Sequence, residues 1–393
     1  MAADQVFFRE WTARRPGARR SVARARELAL LLDLLPPGLP VLSVVGSKGK
    51  GTAAAYASAT LVAAGLRVVS VMSPGHRSNR DRLRVDGRAI SASEFASLAG
   101  RLEAAISKLP PVSDGYLSPA GLFTLAGLVH AREVGADAVV LEAGMGGGSD
   151  EISLFPASAV AVTPIFGEHL GVLGDTVPEI AAEKAAVIVP ETRAVVSAPQ
   201  SAEVASVLGP VELATETPWD DLLPSGLSRA NARAGVLAGV RLAEELGRPP
   251  QDARVREVLA SVVLPGRLSL HERDGVEVLA DAAINRAGVA AAMDAARARW
   301  GTVDHVLVCL PDHKDLTGAI AELDGLPVTF VRLPHAHLRF SRPLPPSWDV
   351  LDAAELSMDA LAGLGRHVLA LGTVYFVGLV LDVLDADIER LFG

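Results

Sequence analysis

The sequence predicts an α/β protein: a P-loop-type, mostly parallel sheet flanked by helices, followed by a smaller Rossmann-like α/β domain. Three observations carry this. Apolar runs of strand length alternate with helix-length segments along most of the chain. An early run ends in VVGSKGKGT, a glycine turn that opens the alanine-rich stretch AAAYASATLVAAGL. After LPGRL at Leu264–Leu268 the alternation starts afresh, which divides the chain into 1–264 and 265–393. A length of 393 residues suits two domains better than one.

The elements follow in order. Helical spacing runs from Ala23 to Leu35, where Pro36-Pro37 stops it. Pro40 to Val45 reads as a buried strand, Ala53 to Gly65 as a helix and Arg67 to Met72 as the next strand. Ser91 caps a helix from Ala92 to Lys108, with Glu94 at the capping-box spacing. Leu122 to Val134 is helical. Ala138 to Leu141 is a strand ending at Glu142, and Ala159 to Pro164 another ending before Gly167-Glu168-His169. Asp175 or Thr176 caps the helix that runs through Val187. A softer stretch from Pro190 to Ser228 precedes a long helix from Ala230 to Leu246. In the second part, strands are expected at Val276–Asp281, Val306–Leu310, Val328–Leu333 and His367–Leu371. Helices should end near Trp300, run through Ala360 to Leu364 and close the chain at Val377–Leu391. Polar clusters at the carboxyl ends of strands mark the edge where open α/β sheets bind ligands.

Composition narrows the function. Half of the residues are hydrophobic and 21% are charged, as in a packed enzyme rather than a disordered chain. A net charge of -9 argues against a general nucleic-acid binder. The one cysteine, Cys309, excludes an intramolecular disulfide and a zinc ribbon, and it reads as a buried small hydrophobe. The N-terminal segment has no apolar core of a signal peptide, and Asp33 with three prolines breaks the longest apolar run. A cytoplasmic enzyme without membrane or nucleic-acid partners is expected, with a monomer as the default.

A strand ending in a glycine turn that opens a helix is a device for holding phosphate. Backbone N–H groups converge on the anion, and the helix N-terminus adds partial positive charge. The usual P-loop places Ser or Thr directly after Gly-Lys. Here Gly46-Ser47-Lys48-Gly49-Lys50-Gly51-Thr52 inserts an extra glycine.

That loop and the motifs after it resemble the folylpolyglutamate synthase and dihydrofolate synthase branch of the Mur ligases. GSKGKGT is similar to that family's GTNGKGS. Ser73-Pro74, then Asp81-Arg82 and Asp86-Gly87, resemble its SPHL…ER…NG stretch. VVLEAGMGGGSD from Val139 resembles VLEVGLGGRLD. EHLGVLGDTVPEIAAEKAAVI from Glu168 is similar to DHxxxLGxTxxxIAxEKAGI. SRANARAGVLA, LPGRL, VLADAAIN and LGTVYFVG complete the series. The resemblance spans roughly residues 40 to 380 and implies an ATP-dependent ligase. Such an enzyme activates a carboxylate as an acyl phosphate and joins it to an amine.

The chemistry of that reaction gives these residues roles. Steadying a γ-phosphoryl group calls for backbone donors, a lysine and Mg²⁺. Lys50 stands where such a lysine should, and Thr52 can bond phosphate or metal. Mg²⁺ needs few protein oxygens, and Glu142 and Ser73 suit that role. The resemblance implies His169 at a second metal position and an adenine and ribose site from Asn231, Arg267 and Asp281 at the domain junction. ATP would then close the two domains and exclude water from the acyl phosphate. The lysine matching Lys184 is carbamylated in much of the family, which would make it a metal partner; unmodified, it is a cation near the acyl phosphate.

Departures from the family fall on the substrate side. DGAHNP becomes Asp281-Ala282-Ala283-Ile284-Asn285-Arg286, so its glutamate-associated histidine is Ile284 and its proline is Arg286. The serine of GSLY is Thr373. GGRLDATN loses its arginine but keeps Asp150, SPHL becomes Ser73-Pro74-Gly75-His76, and the aspartate of DH becomes Glu168. His76, Asp150, Ile284, Arg286 and Thr373 are therefore the candidate substrate residues. The expected partners are a small carboxylic acid and an amine or amino acid other than the folate pair. A divergent dihydrofolate or folylpolyglutamate synthase is the alternative. A P-loop phosphotransferase and an inactive ATP-binding partner are the readings from other classes.

Overall fold

A computed structural model describes residues 3–36, 38–112, 115–335 and 338–393. Pro37, half of the expected Pro36-Pro37 helix stop, lies outside them. The described chain forms two compact units: residues 1–75, 79–262 and 389–393, and residues 76–78 and 263–388. Two short segments thus belong to the unit away from their sequence neighbours.

The first unit is built on an eight-stranded sheet. Its strands are β1 (Val41–Val45), β2 (Val68–Val71), β3 (Leu83–Val85), β4 (Arg88–Ala89), β5 (Ala138–Glu142), β6 (Ala159–Val162), β7 (Ala194–Ser197) and β8 (Glu212–Leu213). Their spatial order is β4-β3-β2-β5-β1-β6-β7-β8, parallel except for the β2–β3–β4 edge. The helices are α1 (Ala3–Ala13), α2 (Val22–Leu31), α3 (Lys50–Ala63), α4 (Ala92–Ile106), α5 (Pro119–Glu133), α6 (Val177–Ala185), α7 (Ala202–Leu208), α8 (Leu227–Glu245) and α9 (Asp252–Ala260). Because helices cover both faces of a parallel sheet, its central strands read as continuous apolar runs: β1, β5 and β6 are buried throughout.

The second unit carries a six-stranded sheet of β9 (Ser269–Arg273), β10 (Val276–Asp281), β11 (His305–Cys309), β12 (Val328–Arg332), β13 (Asp349–Asp352) and β14 (His367–Gly372). The order is β13-β12-β11-β14-β10-β9, with β9 alone antiparallel to its neighbour. Its helices are α10 (Arg286–Trp300), α11 (Leu316–Glu322), α12 (Met358–Gly363) and α13 (Val374–Val383).

Two expectations need correction. The helix expected to reach Leu35 ends at Leu31, and the closing helix expected at Val377–Leu391 runs only from Val374 to Val383. In both, an aspartate takes the left-handed conformation just past the end: Asp33 at φ 58° and Asp385 at φ 46°. Leu34 N–H then reaches Ala29 O at 2.8 Å, and Ala386 N–H reaches Leu381 O at 2.9 Å, which closes each helix by the paired bonds usually set by glycine. After α13 the chain rejoins the first unit, where Phe392 is buried and Leu391 N–H donates to Gly87 O at 3.0 Å. Helix α1 went unforeseen. Its Phe7 stacks on Phe123 and Phe95, with centroids 4.2 and 5.1 Å away.

Helix α3 is apolar nearly all round and is correspondingly buried. It lies so close to α8 that a Cβ on Gly235 would sit 2.1 Å from Ala53 O. Gly235→Ala should therefore destabilise the protein by about 1–3 kcal/mol, because backbone cannot retreat as a side chain does. Gly100, exposed on α4 with nothing near its missing Cβ, should instead gain about 0.5–1 kcal/mol on substitution by alanine. Urea midpoints of the two variants against wild type check both signs.

Candidate active site

The glycine turn between β1 and α3 is shaped by what surrounds it. Gly46 (φ 138°) has Thr163 Oγ1 2.0 Å from where its Cβ would stand. Gly49 (φ 83°) has the Asn231 amide 2.1 Å from the same point. Only glycine fits at either position. Ser47 fixes the loop from the other side: its N–H donates to Pro164 O, and its hydroxyl exchanges 3.2 Å bonds with the backbone of Phe166. Gly49 is the N-cap of α3 and supplies no side-chain cap, so no side-chain oxygen of the cap residue meets the N–H groups of the first turn.

Two lysine amines meet on one carbonyl. Lys50 Nζ donates to Gly46 O at 3.1 Å, and Lys184 Nζ donates to the same oxygen at 2.9 Å. Lys184 is buried, and its ion-pair partner is Glu168 at 2.9 Å. Burial pulls its ammonium below the usual lysine range; the Glu168 bond and charge oppose this, and the Lys50 charge adds to it.

Lys184 reaches the loop because the last turn of α6 is clamped. Thr176 and Glu179 form a capping box at the start of the helix. At its end Gly148 N–H donates to Glu183 O at 2.9 Å, and Glu183 Oε1 accepts from Ser149 N, Ser149 Oγ and Gly147 N. Gly147 packs so tightly there that a Cβ would meet Lys184 O at 2.5 Å. The MGGGS turn after β5 thus holds α6.

Glu142, buried at the end of β5, accepts from Ser73 N–H at 2.7 Å. Both of its carboxylate oxygens lie 3.7 Å from where a Cβ on Gly51 would be. This brings Glu142, Ser73 and the start of α3 together, and Thr52 is buried one residue on. One carboxylate beside a phosphate-type loop suits a cation that keeps most of its waters. His169 stands apart from that logic: it is exposed, at φ 49°, beside the exposed Phe166, Leu170 and Val172. Among the described residues no three His, Cys, Asp or Glu side chains gather as a metal cluster. Lys48 is exposed.

Asp150 faces inward. Its carboxylate accepts from Arg20 at 2.9 Å, Met145 N–H at 2.9 Å and Ile152 N–H at 3.3 Å. Beside it, Glu151 is buried, accepting from Ser118 Oγ at 2.7 Å and lying 3.4 Å from Arg20. Nothing in the motif spacing marks Arg20, Glu151 or Glu183; Arg20 joins this cluster from 130 residues away.

In the second unit, Asp281 accepts from Leu268 N–H at 2.8 Å. Burial raises its carboxyl, against the neighbouring Arg267 charge. Arg267 is exposed and bonds only locally, to Gly266 O. Ile284 packs against the apolar core of this unit. Arg286 pairs through Nε with Glu322 at 2.6 Å. Thr373 is buried and caps α13. The His76 carbonyl sits against Gly378 of α13, where a Cβ would meet it at 2.2 Å.

The chain matches no known family model. It is 27% identical over 326 residues to the dihydrofolate synthase/folylpolyglutamate synthase of Escherichia coli, covering 77% of this chain and 75% of that protein. A shorter stretch of 153 residues is 40% identical to a probable bifunctional folylpolyglutamate synthase/dihydropteroate synthase of Haloferax volcanii, 38% of this chain and 18% of that protein. The fold matches that of Mycobacterium tuberculosis folylpolyglutamate synthase complexed with ADP, with a TM-score of 0.79 and 21% identity over 98% of this chain and 99% of that one. The proteins this chain is similar to, in sequence and in fold, are thus folylpolyglutamate and dihydrofolate synthases, which belong to the Mur ligases. Folylpolyglutamate synthases are ATP-dependent ligases that form carbon–nitrogen bonds. Among the described residues no helix is long and apolar enough to cross a membrane.

The Asp150–Glu151 pair makes a pH prediction. Burial first, and the Asp150 charge second, push the Glu151 carboxyl up to about 7 from 4.5. Between these values the folded protein holds a proton that the unfolded chain has released, so this contribution to stability is full below pH 4.5 and is lost as pH rises to about 7. Glu151→Gln should flatten that part of the profile. Urea unfolding at a series of pH values checks it: parallel profiles for variant and wild type would remove the proton from Glu151.

Proposed function

We propose that this protein is an ATP-dependent amide-bond-forming ligase acting on a small carboxylic acid and an amine that differ from the folate pair. The observation that carries the ligase reading is the convergence of Lys50 and Lys184 on the Gly46 carbonyl, beneath an uncapped helix N-terminus. Backbone N–H groups of Gly46–Thr52 would hold the β- and γ-phosphates, with Lys50 as the point charge on the transferred group. Glu142, Ser73 and Thr52 would hold Mg²⁺, which would neutralise charge on the phosphate oxygens. The substrate carboxylate attacks the γ-phosphorus and ADP leaves. The amine then attacks the acyl carbon, phosphate departs and the amine's proton passes to solvent or a base.

Lys184 acts in this account as an ammonium. Its partners support that form: a carbamate would set an anion against Glu168 and against a carbonyl oxygen. As a fixed cation it would steady the acyl phosphate. On the first unit, Asn231 beside the glycine turn would help to hold the nucleotide; on the second, Arg267 and Asp281 are that unit's own candidates for nucleotide contact.

The substrate reading rests on Ile284 and Arg286. Ile284 is part of an apolar cluster and offers no bond to a carboxylate, a loss of about 1–3 kcal/mol relative to an imidazole. Arg286, which could compensate, is committed to Glu322. Asp150, buried against Arg20, would support the acceptor pocket rather than touch its occupant. The activities of the similar proteins favour a second reading, a divergent dihydrofolate or folylpolyglutamate synthase.

A panel of acids and amines assayed for ADP release decides between them. A non-folate acid should drive ADP release with L-glutamate among the poorer amines, and Lys50→Ala should lower turnover by about 10³-fold or more while still folding. Efficient glutamylation of dihydropteroate or tetrahydrofolate would establish the second reading. Near-normal ligation by Lys50→Ala would overturn both.

A further inference from the structure

A groove of about 910 Å³ lies within the first unit, well removed in topology from the nucleotide loop. The loop follows the carboxyl end of β1. The groove is lined by Arg67, just before β2, and by the β3–β4 turn. Val85 pairs with Val69, and Asp86 N–H donates to Val68 O, so that turn lies at the amino end of β2. Strands β1, β5 and β2 run parallel. The groove and the loop therefore open at opposite edges of the sheet.

Its charge is lopsided. Five arginines, Arg67, Arg80, Arg88, Arg254 and Arg390, line it against three acids, Asp86, Glu94 and Glu389. The acids are engaged: Glu389 with Arg80, Glu94 in capping Ser91, and Asp86 with Val68 N–H at 2.8 Å. Arg254 pairs with Glu257. Among the described residues Arg67 and Arg88 have no ion pair, while Arg390 donates to Gly393 O, at 3.1 Å, at the last residue of the sequence.

The backbone makes the surplus worse. Arg88 and Arg390 are bridged as direct antiparallel partners, and like charges directly opposite destabilise such a pair. The flanking bond from Ala89 N–H to Glu389 O, at 2.7 Å, holds them in that register. The start of α4 also lines the groove at Ser91–Ala92, but Ser91 and Glu94 already cap it, so the surplus is that of the arginines. An anion in the groove would relieve all of these at once, and the volume is that of a small-molecule site.

We propose that this groove binds a small polyanion, a molecule carrying two or more phosphate or carboxylate groups, apart from the nucleotide site. Guanidinium groups suit both acids, since each can be met by paired N–H bonds. The proposal is independent of the ligase reading.

Calorimetric titration of the full chain with inorganic pyrophosphate and with citrate tests it, and the preferred probe tells phosphate from carboxylate chemistry. Wild type and Lys50→Ala should bind the preferred probe alike. Arg88→Ala/Arg390→Ala and, separately, Arg67→Ala should weaken it by about tenfold or more, with Arg88→Lys/Arg390→Lys in between. Melting temperatures confirm that each variant is folded, and Arg67→Ala serves alone if the double variant is not. Three results would overturn the proposal: binding of neither probe, undiminished binding by the folded arginine variants, or binding abolished by Lys50→Ala.

Discussion

The Gly46 carbonyl is the point on which the site depends. Two lysines from segments 134 positions apart donate to it, and neither could do so if the loop relaxed. The oxygen takes that position because Gly46 presses against Thr163 at φ 138°. Ser47 ties the next residue to the Pro164–Phe166 segment, and Asn231 fills the space beside Gly49. The conformation is fixed from β6 and α8, and the cationic pair is a consequence. Burying Lys184 carries a desolvation cost that only a fixed carbonyl and a carboxylate can offset, which gives Glu168 its structural reason.

The same logic separates what is preserved in this chain from what is changed. Groups that would meet phosphate are backbone N–H groups and amines, held by glycines that admit no side chain, with one carboxylate placed beside them for a metal ion. Groups that would meet the acid and amine are side chains, and there the chemistry differs. Ile284 is half-buried against an apolar core and Arg286 is in a local ion pair. A glycine loop constrained on three sides tolerates little substitution, whereas an apolar residue at a strand end costs the fold nothing.

Much of the architecture was legible in the sequence, for identifiable reasons. Parallel strands buried on both faces leave continuous apolar runs, so β1, β5, β6, β10, β11 and β14 stand out. Ser91 with Glu94 showed a helix start by its spacing, and Thr176 with Glu179 formed the same box where a cap was expected. Helix ends at Asp33 and Asp385 were not legible, because aspartate rarely takes the conformation that glycine signals. Helix α1 was missed since its support, the stack of Phe7 on Phe95 and Phe123, comes from residues far along the chain. In the site, the loop and Lys184 were readable as motifs. Their partners were not: Arg20 against Asp150, and Glu183 against the Gly147–Ser149 turn, are contacts that only tertiary folding creates.

The central claim is that this loop and lysine pair activate a carboxylate by phosphorylation. Hydroxylamine trapping tests it most directly. With ATP, Mg²⁺ and each of a panel of carboxylic acids, an acyl phosphate would be intercepted as the hydroxamate, releasing phosphate. The account predicts, for the accepted acid, hydroxamate and ADP in equal amounts, neither formed without the acid. AMP and pyrophosphate as products, or ADP release with no hydroxamate from any acid, would contradict it.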